Sequence, residues 1–170
     1  MGREIRRVPA NWNHPRDKRG HYIPLKDNFN KSLAEWIEEE QKWNAGLRND
    51  WEGNWKSIET EYRHYSYSEW AGKKPIKEDY MPDWLPQERT HFQMYEDTSE
   101  GTPISPVMPD EESLAHWLAD NKASAFGNFT ASYEEWLATI KAGYAVGMIL
   151  DNRGMRSGVE FEGDKEKNGN

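Results

Sequence analysis

The sequence predicts an α+β fold: a single domain with three to four helices packed on a small, mostly antiparallel sheet that ends in a C-terminal hairpin. Three observations lead to it. Helix-start patterns recur as Ser32-Leu-Ala-Glu35-Trp36, Ser66-Tyr-Ser-Glu69-Trp70, Ser113-Leu-Ala-His116-Trp117 and Ser132-Tyr-Glu-Glu135-Trp136. The stretch "THFQMYE" (90–96) alternates, with Phe92 and Met94 facing one way, as a half-buried strand does. In "YAVGMILDNRGMRSGVEF", two apolar runs flank Asp151-Asn152-Arg153-Gly154, a hairpin signal with its glycine late in the loop.

Composition sets the class. The mean hydropathy of −1.09 is low enough to raise the question of disorder, but 13% of the 170 residues are aromatic. Each aromatic side chain can bury about 150–250 Å², so a compact core rich in large flat groups is expected. The absence of cysteine excludes disulfides, thiolate metal sites and a cysteine nucleophile. No apolar stretch approaches the roughly 20 residues that span a bilayer, and "MGREIRRVPANW" lacks the apolar run of a secretory signal. Cytoplasmic placement follows as the expectation.

The elements can be taken in order. Residues 1–31 hold Pro9, Pro15, Pro24 and Gly20, which predict short extended pieces and turns. They also hold eight basic and three acidic residues, a charge of +5. The rest of the chain, with 14 basic and 27 acidic residues, carries −13. A basic arm can serve nucleic acid, but the acidic body would repel DNA beyond the arm's reach, so the arm is expected to lie across its own body.

Serine at an N-cap with glutamate at N3 forms a capping box, which stabilises a helix start by about 0.5–2 kcal/mol. The boxes at Ser32, Ser66 and Ser132 are therefore helix punctuation. His116 replaces the glutamate in the fourth, where Asp110 is the alternative cap. A first helix is predicted from Ser32 towards Arg48, with Leu33, Trp36, Ile37, Trp43 and Leu47 as its apolar stripe. Trp51, Trp55, Ile58, Tyr62 and Tyr65 continue at helical spacing and predict a second helical stretch, weakened by Gly53. Both aromatic stripes read as core. "GKKPIKEDYMPDWLP" (72–86) is a proline-rich loop anchored by Tyr80, Met81 and Trp84. After the strand and a second proline-rich loop, helices are predicted over 111–121 and 132–142, the latter closed by Gly143. The domain is expected to end at 162, with 163–170 a tail without order.

No motif for an enzyme stands out: the chain lacks a dinucleotide-binding glycine pattern, a phosphate-binding Gly-Lys-Ser/Thr and a Gly-x-Ser-x-Gly. The five histidines show no ligand spacing, so neither metal nor cofactor is expected. Two segments carry candidate binding residues. In the arm these are Arg7, Trp12, His14, Arg16 and Tyr22, a set suited to clamping a base and equally suited to anchoring the arm. In the loop "SEGTPISPVMP" (99–109) they are Glu100, Thr102 and Ser105. Convergence of the two segments on one pocket would favour a nucleotide or small-molecule binder.

The strings "REIRRVPANWNHP", "HYIPL", "EDYMPDW", "HFQMYEDTSEGTPISPV", "LAHWLADNKASAFGNFTASYEEWLATIKAG" and "SGVE" together resemble a family of small tailed-bacteriophage and prophage proteins. The resemblance spans most of the chain, sparing roughly residues 47–64 and the tail. It implies a phage origin and expression in a bacterial host cell, and supplies no activity or site residues. The leading expectation is a non-enzymatic phage accessory protein that binds a host protein, as in countering a defence system. Acidic charge and aromatic side chains suit such a partner. A nucleotide or small-molecule binder is the alternative, and a hydrolase acting on a sugar or phosphate a further one.

Overall fold

The structure, a computed structural model, describes residues 2–50, 52–97, 101–151 and 154–168. In chain order its elements are β1 (Arg3–Val8), α1 (Phe29–Asn44), β2 (Leu47–Asn49), β3 (Trp55–Ser57), α2 (Tyr67–Ala71), β4 (His91–Glu96), β5 (Thr102–Pro103), α3 (Glu111–Asp120), α4 (Tyr133–Ala142), β6 (Tyr144–Ala145), β7 (Met148–Asp151), β8 (Gly154–Ser157) and α5 (Gly158–Asn168). The fold is α+β, its sheets are antiparallel, and the C-terminal hairpin is present as β7–β8. The chain forms two compact units: unit 1 is Met1–Leu25 with Asp83–Asn170, and unit 2 is Lys26–Pro82.

Unit 1 is organised by a four-stranded sheet in the order β5-β4-β1-β6. The basic N-terminal segment, expected as short extended pieces and turns, begins as an inner strand of the sheet. Alternation explains why a strand so rich in arginine is accepted there. Ile5 lies opposite Met94, and this face packs with Leu114, Leu118, Trp136, Ile140 and Val159 of the helices. On the same face, Arg3 is buried and sends its guanidinium to the Ser124 carbonyl (2.8 Å) and hydroxyl (3.1 Å) and to the Gly2 carbonyl (2.9 Å). The opposite face, with Arg6, Val8, Gln93 and Tyr95, is covered by residues 9–25.

Helix starts follow the sequence at three of four places. Ser66 and Ser132 form complete capping boxes with Glu69 and Glu135, and α3 begins at the alternative cap, where Asp110 accepts from the Ser113 amide at 2.7 Å. Gly143 ends α4 with φ of 90°, a backbone geometry that favours glycine. Ser32 differs. Helix α1 starts a turn earlier, after Asn28 at φ 60°, and the Ser32 amide already donates to the Asn28 carbonyl at 3.0 Å.

Two further expectations are corrected. The first helix ends at Asn44, and the aromatic run after residue 50 is not a helix: Trp55–Ser57 (β3) pairs back with Leu47–Asn49 (β2) as a hairpin, followed by a short 3-10 turn at Thr60–Tyr62; Trp51 lies outside the described residues. Asp50 decides this, because its carboxylate accepts from the amides of Glu52 (3.0 Å) and Asn54 (2.8 Å) and closes the turn. The C-terminal segment expected to lack order instead contributes to α5, which runs to Asn168. Val159 and Gly163 explain its docking: Val159 is fully buried, and a Cβ at Gly163 would stand 2.6 Å from Glu135 Cγ.

Unit 2 has a small core of its own: Trp43, Ile58 and Tyr67, with Trp36 and Tyr62 packed against them. Tyr80 and Met81, anchors expected from the proline-rich loop, are buried.

Candidate functional site

The structure brings the two candidate segments together, though by a hydrogen-bonded interior. The Trp12 indole donates to the Tyr95 hydroxyl (3.1 Å), and His14 Nδ1 lies 3.3 Å from the same oxygen. Tyr95 in turn donates to Gln93 Oε1 (2.8 Å), and Gln93 Nε2 donates to the Ser105 carbonyl (2.8 Å). His14 Nε2 meets the Ile23 carbonyl at 2.7 Å, and Tyr22 packs edge-on to the His14 ring with centroids 5.4 Å apart. His14, Gln93, Tyr95 and Ser105 are all buried. Burial pushes the Tyr95 hydroxyl up to about 12 and lowers the His14 imidazole, the latter helped by the charges of Arg6 and Arg16. The network is therefore held neutral.

The remaining candidates sit around this network. Arg16 lies 3.6 Å over the Tyr22 ring and donates to the Gly20 carbonyl (2.7 Å). Arg7 is exposed, 5.0 Å over Phe92. Thr102 is half-buried in β5 opposite Glu96. Glu100 lies outside the described residues. Gly101 shows how tightly the loop closes on the arm: at φ 89°, an added Cβ would lie 2.0 Å from the Leu25 carbonyl oxygen.

A cleft of about 650 Å³ opens within unit 2. Its aromatic walls are Trp43 from α1, Trp55 from β3, Tyr62 from the 3-10 turn, and Tyr67 and Trp70 from α2. Trp70 stacks on Trp43 (5.2 Å, 27°) and packs against Tyr62 (4.9 Å), yet it remains 42% exposed. A tryptophan that stays so open while its neighbours are fixed presents a prepared face.

The polar lining is Glu39, Arg48, Asn49 and Asp50. Asp50 pairs with Lys56 at 2.5 Å, and this contact, with the turn amides, holds its carboxyl well below the usual range. Arg48 grips Glu59 through two bonds (2.8 and 2.5 Å), which lowers Glu59 to about 2. Glu39 accepts the hydroxyl proton of Tyr67, and burial together with this carboxylate raises the Tyr67 hydroxyl above its ordinary value.

Sequence reasoning missed this cleft because it assigned its tryptophans to helical core stripes. The available signal was Asp50-x-x-Gly53-Asn54, a turn pattern between two apolar runs, which breaks the helical reading at Trp55. Among the described residues, no group of three or more histidine and carboxylate side chains is arranged to hold a metal ion, and no helix is long and apolar enough to cross a membrane. Comparison with protein-family models, curated proteins and solved structures finds no match to this chain.

Proposed function

We propose that this is a non-enzymatic binding protein that engages a partner protein through the unit-2 cleft. On the phage-like sequence pattern, the partner is a protein of the bacterial host, and interference with a defence system is the outcome. The observation that carries the reading is Trp70, stacked in place by Trp43 and Tyr62 and still 42% exposed at the cleft. Rigid aromatic side chains in a pocket supply much of the affinity at protein interfaces.

A small-molecule or nucleotide ligand is the second reading, favoured by a cleft volume within the usual ligand-pocket range of about 300–1,000 Å³. Native mass spectrometry of the tagged protein purified from bacterial cells separates the two. The expected result is a co-purifying protein that is lost with Trp70→Ala and depleted with Glu39→Gln, both variants first checked for a native near-ultraviolet spectrum. Equal recovery on wild type and both variants would overturn the role of the cleft. An added mass of a few hundred daltons, lost with Trp70→Ala, would replace the protein partner with a small ligand.

A further inference from the structure

The charges of the cleft are not evenly answered. Asp50 has Lys56 and Arg48 has Glu59, both at salt-bridge distance. Glu39, one helical turn before Trp43, receives only the neutral hydroxyl of Tyr67, and among the described residues no lysine or arginine pairs with it. It stands on a helix that carries Glu35, Glu38, Glu39 and Glu40 against Lys31 and Lys42. The local field therefore favours a cation at this wall of the cleft.

The aromatic faces point the same way. Cations already lie over other rings of the chain: Lys42 over Trp55 (5.5 Å) and Lys74 over Trp36 (5.8 Å) in unit 2, and Arg6 over Tyr95 (4.5 Å) and Arg16 over Tyr22 (3.6 Å) in unit 1. Among the described residues, no cation of the chain covers Trp43 or Trp70. Trp43 is buried behind this near-parallel stack, so the open flat surface is that of Trp70. A guanidinium is planar, weakly hydrated and able to stack while donating to a carboxylate, which distinguishes it from a lysine ammonium.

We propose that the cleft takes an arginine side chain of the partner protein, its guanidinium stacked on the open Trp70 ring that Trp43 backs and its charge answered by Glu39. This rests on the cleft being the binding surface. The tripeptide N-acetyl-Arg-Arg-Arg-amide and its citrulline counterpart, which keeps the shape and removes the charge, provide the test. Each is titrated into the full ¹⁵N-labelled chain while the tryptophan indole N–H resonances are followed.

The arginine peptide shifts the cleft tryptophan resonances saturably, and the citrulline peptide binds about tenfold more weakly. Glu39→Gln, which preserves an acceptor for Tyr67, weakens the arginine peptide by a similar factor and leaves the citrulline peptide unchanged. Added salt weakens only the arginine peptide. Equal affinity for the two peptides, no saturable binding of the arginine peptide, or indifference to Glu39→Gln would each overturn the proposal. If partner capture depends on Trp70 while the peptides bind equally, only the arginine assignment falls. If the arginine peptide binds as described while capture ignores the cleft variants, only the protein-partner role of the cleft falls.

Discussion

Tyr95→Phe removes one oxygen from the centre of unit 1 and leaves the shape of the side chain intact. That oxygen accepts from Trp12, contacts His14 and donates to Gln93. Gln93 and His14 are buried, so each loses a partner it has no water to replace, while the half-buried Trp12 indole is nearer solvent. An orphaned buried polar group costs about 1–3 kcal/mol, so the loss is about 2–6 kcal/mol with two such groups at stake. Equilibrium urea unfolding followed by circular dichroism reads it directly. A loss below about 0.5 kcal/mol for Tyr95→Phe would refute the view that this network fastens the N-terminal segment to the sheet.

His14 makes stability depend on pH. Burial lowers its proton affinity in the folded state, so the unfolded chain takes up a proton first, near 6.5. Its contribution is fully present above about pH 6.5 and falls as the pH drops below that value, visible as a lower urea midpoint at pH 5.5 than at 7.5; His14→Gln flattens this difference. The serine motifs separate into two kinds under thermal unfolding. Ser132→Ala costs about 0.5–2 kcal/mol by removing a realised cap, whereas Ser32→Ala, inside a helix, is neutral or slightly stabilising. Trp136→Ala, at a fully buried position, costs about 3–5 kcal/mol, measured by the same urea titration.

Much of the fold was legible because its signals are local. Capping serines and aspartate placed α2, α3 and α4, alternation placed β4, and paired apolar runs around a glycine-bearing turn placed β7–β8. The first strand was illegible for a long-range reason. Arg3 becomes acceptable in the interior only when the Ser124 carbonyl and hydroxyl, 121 residues away, receive its guanidinium. The cleft was hidden by a coincidence of period. Trp55, Ile58 and Tyr62 are spaced as on a helix, but the Asp50 turn folds them as a hairpin and a 3-10 turn that still gathers the rings on one side. The arm residues were more visible than the cleft because His and Trp beside arginine stand out in sequence. Their side chains are largely occupied with one another and with Tyr95.

Amide hydrogen exchange, measured by mass spectrometry on the full chain alone and in the complex that co-purifies with it, tests the central claim most directly. Slowed exchange is expected in peptides covering 39–56 and 62–71, where the lining residues of the cleft lie. Slowed exchange confined to peptides of unit 1, with unit 2 unchanged, would contradict it.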